Sequence, residues 1–277
     1  MKKIIVPVDF SKNSEFAMEV AAEIAKKQKA ELLLLHMLDI SDQMISITES
    51  TQRREFMFFI QMATKQFEEF VDKEYLKGIK VTPIIKHHKI FEEINNVATE
   101  VKADLIVMGS RGATGVKGFL VGSNTEKVVR TSEIPVLIIK NKVKEFTPKT
   151  LIFASDFDLE NINAFEKVKT IANKLDAKIK LVYINTPNVK FKNSNEINKQ
   201  MQTFLLEAKL PSIANEFLVY NDYSVEDGIL NAAKFLNADL IAIPTHGRKG
   251  VNKILIGSIS EDIANHASLP VLTIKIE

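Results

Sequence analysis

The chain has no cysteine. That excludes disulfides, thiolate nucleophiles and thiolate-ligated metal centres. It also has almost no net charge, since 37 basic residues face 35 acidic ones for a formal +2. A balanced surface gives no electrostatic case for binding nucleic acid or an acidic membrane. No run of residues approaches the roughly 18 consecutive apolar positions of a membrane span. The opening "MKKIIVPVDF" sets two lysines before apolar residues, yet the apolar run stops at Asp9 and no small-residue cleavage site follows. It is too short for a secretory core and reads as a first β-strand. A soluble cytoplasmic protein is the expectation. Glycine is scarce too. There are ten in 277 residues, and five of them lie in Gly109–Thr125, "GSRGATGVKGFLVGSNT". Because glycine costs conformational entropy, such a cluster signals a tight turn or a close approach.

What the chain does have is itself, twice. "IIVPVDFSKNSEFAMEVAAEIAKKQKAELLLLHM" returns as "LIFASDFDLENINAFEKVKTIANKLDAKIKLVYI", with Asp9, Phe10 and Ala30 matching Asp156, Phe157 and Ala177 at an offset of 147. "ADLIVMGSRG" returns as "ADLIAIPTHG", and "VGSNTEKVVRTSEIPVLIIK" as "IGSISEDIANHASLPVLTIK", at an offset of 135. One offset held across separate motifs marks a duplication. The change of offset means that the second copy lacks twelve residues between its second and third strands. The charged stretch "NKVKEFTPK", with a proline that cannot continue a sheet interior, separates the copies. This gives domains over 1–142 and 149–277.

Each copy alternates strand and helix. In the first, strands are expected over 2–8, 31–38, 80–86, 104–109 and 135–140. Helices are expected after an N-cap at Ser11, over 53–77, over 91–101 and from Ser123. The Met and Phe residues of 56–70 recur at helical spacing and are expected in the core. The fold class is α/β, two tandem five-stranded parallel sheets flanked by helices, Rossmann-like. Such sheets bind ligands beyond the carboxyl ends of their strands.

The glycine-rich loop lies at such an end. It follows the buried strand "DLIVM" and precedes a helix whose first amides are unpaired and electropositive, natural partners for phosphate. It is neither Gly-x-x-x-x-Gly-Lys-Ser/Thr nor Gly-x-Gly-x-x-Gly. The pattern is Gly109-x2-Gly112-x9-Gly122-Ser123. With "VPVDFS", "LLLLHM", "DLIVMGSRG", "VGSNTEKVV" and "PVLIIK" it resembles the universal stress protein family, whose ATP-binding members carry Gly-x2-Gly-x9-Gly-Ser/Thr. The resemblance covers the whole chain as two copies and implies an adenine nucleotide alpha-hydrolase-like fold with ATP as ligand, accompanied by Mg where a cation is needed. It implies that Pro7 and Asp9 face the adenosine and that the backbone at Met37 meets the adenine edge. Met108 and Gly109 would lie against base and ribose, and Gly112, Gly122, Ser123, Asn124 and Thr125 would hold the phosphates. Arg111 and Lys117 are available to balance charge. It further implies a nucleotide-dependent stress-response role with an unidentified protein partner. The last strands would join the two copies as an intramolecular pseudo-dimer, or two chains as a homodimer.

Several residues fit blander roles equally. Asp9 suits a helix N-terminus, Ser123 and Thr125 suit helix caps, and the glycine loop suits a plain connector. His87 and His88 point to opposite faces of a strand and cannot share a metal, so no metal site is expected, and His36 reads as a partly buried polar residue. The second copy departs from the pattern on one side only. Pro7, Met37, Met108 and Gly109 become Ala154, Ile184, Ile243 and Pro244, while Asp156, Gly247, Gly257, Ser258 and Ser260 retain the acid and the phosphate side. The sequence therefore leaves open whether one copy or both bind. It also leaves open a slow ATPase or an interaction scaffold with a vestigial pocket as alternatives to a regulatory nucleotide-binding protein.

Overall fold

The N-terminal apolar run forms β1 (Lys3–Val8), in which Ile4, Ile5 and Val6 are wholly buried. Burial of consecutive residues requires cover on both faces, as in a parallel sheet packed by helices. The structure, a computed structural model, describes residues 1–38, 50–87, 90–110, 122–187, 191–210, 217–246, 263 and 265–276. The chain divides into two compact units, with the main boundary between Phe146 and Thr147.

In the first unit β1 is followed by α1 (Lys12–Gln28), β2 (Glu31–Leu38), α2 (Ser50–Val71), β3 (Val81–His87), α3 (Ile90–Glu100), β4 (Leu105–Gly109), α4 (Ser123–Thr131) and β5 (Val136–Ile139). The strands run parallel in the order β3-β2-β1-β4-β5. In the second unit β6 (Thr150–Ala154), α5 (Ile162–Leu175), β7 (Lys178–Asn185), α6 (Ser194–Glu207), β8 (Phe217–Asn221), α7 (Val225–Phe235), β9 (Leu240–His246) and β10 (Val271–Ile276) follow. Their parallel order, β8-β7-β6-β9-β10, matches the first.

The duplication is written in the backbone as well as in the letters. Left-handed residues recur at the sequence offsets: Phe10 and Phe157 (φ 61° and 56°), Lys29 and Asp176 (52° and 64°), Lys102 and Asn237 (53° and 48°). The Asp104 carboxylate accepts the amides of Lys2 and Lys3, and Asp239 accepts those of Lys149 and Thr150. A left-handed phenylalanine is sterically costly. Packing offsets that cost. The Phe10 ring lies 4.4 Å from His36 and 5.3 and 5.4 Å from Phe67 and Phe70 of α2, while Phe157 lies 5.2 Å from Phe204 of α6.

Two expectations about α2 need correction. The helix ends at Val71, not at residue 77: Lys73 is extended (φ −129°, ψ 134°), and a 3-10 turn over Glu74–Leu76 then buries Leu76. The apolar residues at helical spacing end at Val71, and the helix ends with them. Nor are all the Met and Phe residues core. Ala63, Phe67 and Phe70 are buried, whereas Met57, Phe58, Phe59 and Met62 are exposed. Phe58 and Met62 lie on the face of α2 turned away from Ala63, Phe67 and Phe70, whereas Phe59 shares the buried face and lies beyond the cover there. After β5 the chain stays attached to the first unit through Phe146, which is buried and donates its amide to Glu23 of α1.

Tyr75, in the 3-10 turn, has a buried hydroxyl with no hydrogen-bond partner. Burial, with Glu15 and Glu19 adding to it, raises the phenol far above its ordinary range. An unmade hydrogen bond costs stability. Tyr75→Phe is therefore expected to leave thermal stability unchanged or to raise it by up to about 1 kcal/mol, which a melting curve measures.

Candidate functional site

β1 lies between β2 and β4, and the chain leaves it toward one side and returns on the other. The carboxyl ends of β1 and β4 therefore border the switch in strand order, where parallel α/β sheets hold ligands. Pro7 is the penultimate residue of β1, Met37 lies near the end of β2, and Met108 and Gly109 end β4.

Gly109 is the hinge of the arrangement. A Cβ added there would lie 2.7 Å from the backbone oxygen of Asn13 and 2.8 Å from its carbonyl carbon. The end of β4 and the first turn of α1 thus touch through the space that a side chain would fill. α4 is fixed to the same point. The amide of Gly122 donates to the carbonyl of Ser110 (2.6 Å), and the Thr125 hydroxyl donates to the carbonyl of Gly109 (3.0 Å). Two helix N-termini therefore converge on one strand end. The Thr125 proton is committed to that carbonyl, so in this geometry the hydroxyl anchors α4.

The two helix starts differ in chemistry. α1 is capped by Ser11, whose Oγ accepts from the amide of Ser14 (3.3 Å). Asp9 supports that cap, since its Oδ1 accepts from both the amide (3.1 Å) and the hydroxyl (2.6 Å) of Ser11. α6 and α7 are likewise capped, by Asn193 and Ser224. α4 instead begins at Gly122, which offers no side-chain cap. Its φ of −63° and ψ of 143° suit any residue, so the backbone conformation does not require glycine here. What remains is close approach. Ser123 is exposed and Asn124 half-buried beside it. This donor set fits a phosphate group: first-turn amides at the positive end of a helix, with no side chain of their own at the cap. A carboxylate such as Asp9 suits ribose hydroxyls. Arg111, Gly112 and Lys117 lie outside the described residues, as does His88. Among the described residues no group of three acidic or histidine side chains is placed to hold a metal.

The second unit handles the same positions differently. Pro244 stands where Gly109 does, and helix α5 begins at Ile162 after a 3-10 turn over Leu159–Asn161. At the offset of 147, α1 would have placed that start at residue 159. The first turn has been rebuilt where the glycine is missing. Asp156 Oδ1 accepts from the Asn161 side chain (2.7 Å), and Gln200 of α6 donates to the Asp156 carbonyl (2.8 Å) and to Asp158 (2.7 Å). Ile184, where Met37 stands in the first unit, packs under α7 at Gly228, where an added Cβ would lie 2.4 Å from it. Ala154 and Ile243 are buried. Gly247, Gly257, Ser258 and Ser260 lie outside the described residues. Sequence reading missed Asn161 and Gln200. Residue type gave no signal, since Ser14 stands at the position of Asn161 and Gln66 at that of Gln200.

His36 sits beneath the site, with Nδ1 2.8 Å from the carbonyl of Val8. The carbonyl can only accept, so Nδ1 donates. Burial pulls the imidazole below its ordinary value, partly opposed by the Val8 carbonyl and by Asp9. A histidine depressed by folding binds more protons when unfolded, so stability rises with pH across its window. The first domain is therefore expected to lose stability as pH falls below about 6.5, the ordinary histidine value. His36→Gln should flatten that dependence in melting curves recorded between pH 5 and pH 7.

The family model described as "Universal stress protein family" matches residues 1–140 and again 148–275. The universal stress protein MJ0577 of Methanocaldococcus jannaschii is 33% identical over 156 residues, covering 51% of this chain and 96% of its own length. Universal stress protein YxiE of Bacillus subtilis is 32% identical over 148 residues, covering 50% and 98%. Each of these relatives spans about half of this chain. The crystal structure of a universal stress protein from Archaeoglobus fulgidus aligns over 99% of this chain and 96% of its own, with a TM-score of 0.69 at 21% identity. Among the described residues no helix is long and apolar enough to cross a membrane.

Proposed function

The chain belongs to the universal stress protein family, and on that premise we propose that its first domain binds ATP while its second domain serves as a structural partner. The observation that carries this reading is the start of α4: a helix capped by a bare glycine, tied to the strand end at Gly109, beside an α1 that caps itself. In this reading Gly122 with the amides of Ser123 and Asn124 receives the phosphates, joined by Gly112. Asp9 accepts from the ribose, Pro7, Met108 and Gly109 wall the nucleoside, and the Met37 backbone meets the adenine edge. Thr125 holds α4 in place. Any Mg2+ would arrive with the phosphates.

The role is regulatory rather than catalytic. Among the described residues the groups at the site bind and orient, and the one carboxylate there, Asp9, already accepts two hydrogen bonds from Ser11. The second domain is read as structural because Pro244 replaces Gly109, its first helix starts late after a 3-10 turn, and its Ile184 is packed under α7. Mass spectrometry of ligands released from natively purified protein is expected to find adenine nucleotide. If none is retained and none binds on titration, the scaffold reading replaces this one. Phosphate release is expected to stay below roughly 1 per second, the lower range of ordinary enzymes; faster turnover would make the protein an ATPase.

A further inference from the structure

The two copies differ most in α2. Its buried residues Ala63, Phe67 and Phe70 have the same spacing as Ile197, Met201 and Phe204 of α6. Aligned on these, α6 starts three residues before its first buried position, whereas α2 starts thirteen before. Most of the length that the second copy lacks is therefore an extension of α2. The same fold forms without it, so the extension is not needed to complete the sheet's cover. It nevertheless carries Met57, Phe58 and Phe59, exposed by 50%, 57% and 42%, and Met62, exposed by 46%, follows within the shared part of the helix. The position of Met62 is taken in α6 by Glu196, a capping residue. Large apolar side chains that the fold does not use and water should not favour mark an interaction surface.

The charges around them specify the occupant. Arg54, Phe58, Met62, Lys65 and Glu69 follow one another at spacings of four, four, three and four, one stripe opposite the buried Ala63, Phe67 and Phe70. All five are exposed. The stripe is basic at its N-terminal end and apolar in the middle, and its C-terminal end carries Lys65 and then the acidic Glu69. Such a pattern is complementary to itself when reversed. We propose that the exposed stripe of α2, from the extension into the shared part of the helix, is a homotypic interface, on which a second copy of this chain packs its own α2 antiparallel about a two-fold axis between Gln61 and Met62. A two-fold contact uses the same patch on both chains. Arg54 of one copy then meets Glu69 of the other, twice by symmetry. The Lys65 stem covers Phe58, and the two Met62 side chains meet at the axis.

The absence of cysteine makes the test clean. Met62→Cys introduces a single thiol at the axis, and mild oxidation is expected to give a covalent dimer of the full chain. Leu206→Cys, an exposed position on α6, should not. In sedimentation, Phe58→Glu should yield monomer at concentrations where the parent is dimeric. Glu69→Arg should weaken association about tenfold, and the swap Arg54→Glu with Glu69→Arg should restore it. A chain that is monomeric at all concentrations overturns the proposal. So does a dimer that survives Phe58→Glu, or a charge swap that fails to restore association. Binding of the monomer to vesicles of anionic phospholipid, lost in Phe58→Glu, would assign the patch to a membrane surface instead.

Discussion

Gly122→Asp is expected to abolish ATP binding while leaving the first domain as stable as before or slightly more so. The backbone conformation of the cap position suits any residue, since its φ is −63° and ψ 143°. Aspartate is among the best N-caps, whereas glycine gives the helix no side-chain acceptor. The substitution therefore satisfies the α4 amides from within the protein. It also puts a carboxylate where the proposed ligand places phosphate. Two unit charges 4 Å apart near a protein surface repel by about 4 kcal/mol, so a loss of at least about 100-fold in affinity is expected. Calorimetric titration measures the binding and a melting curve the stability. Loss of both together would mean that Gly122 is a folding residue and that its place at the cap says nothing about a ligand.

Gly109→Ala should do the opposite, harming the fold first. The new Cβ would meet the Asn13 backbone at 2.7 and 2.8 Å. Those are main-chain atoms, which cannot rotate aside as a side chain could. The first turn of α1 must move, and with it the Asp9–Ser11 hydrogen bonds. Forced overpacking of this kind costs about 1–3 kcal/mol. A lower melting temperature and weaker nucleotide binding should appear together. If Gly109→Ala melts like the parent, the contact between β4 and α1 is looser than described and the site loses its hinge. The second copy indicates that a larger residue at this position requires a rebuilt helix start: it has Pro244, and α5 begins at Ile162 after a 3-10 turn.

Much of this was legible in the sequence. The two offsets predicted the duplication, and the paired left-handed residues and the Asp104 and Asp239 brackets reproduce it. Ser11 was legible as a cap because the residue type and the apolar spacing after it agree. Other features depend on what lies opposite in three dimensions. Phe59 and Phe67 lie on the same face of α2, yet one is exposed and the other buried. Only the extent of the neighbouring sheet decides between them. Thr125 reads equally as a phosphate donor or a cap, and its hydrogen bond to Gly109, sixteen residues earlier, settles its direction. Gln200 reaches Asp156 across 44 residues, which no local pattern announces. The replacement of Gly109 by Pro244 flagged a difference between the copies, and the recessed start of α5 gives it physical form.

The central claim is that one of two similar domains holds the nucleotide. Calorimetric titration of the full chain with ATP tests it most directly when run on the parent, Gly122→Asp and Gly257→Asp. One site per chain is predicted for the parent, none for Gly122→Asp, and one for Gly257→Asp. Two sites in the parent, or a site that survives Gly122→Asp and disappears with Gly257→Asp, would contradict it.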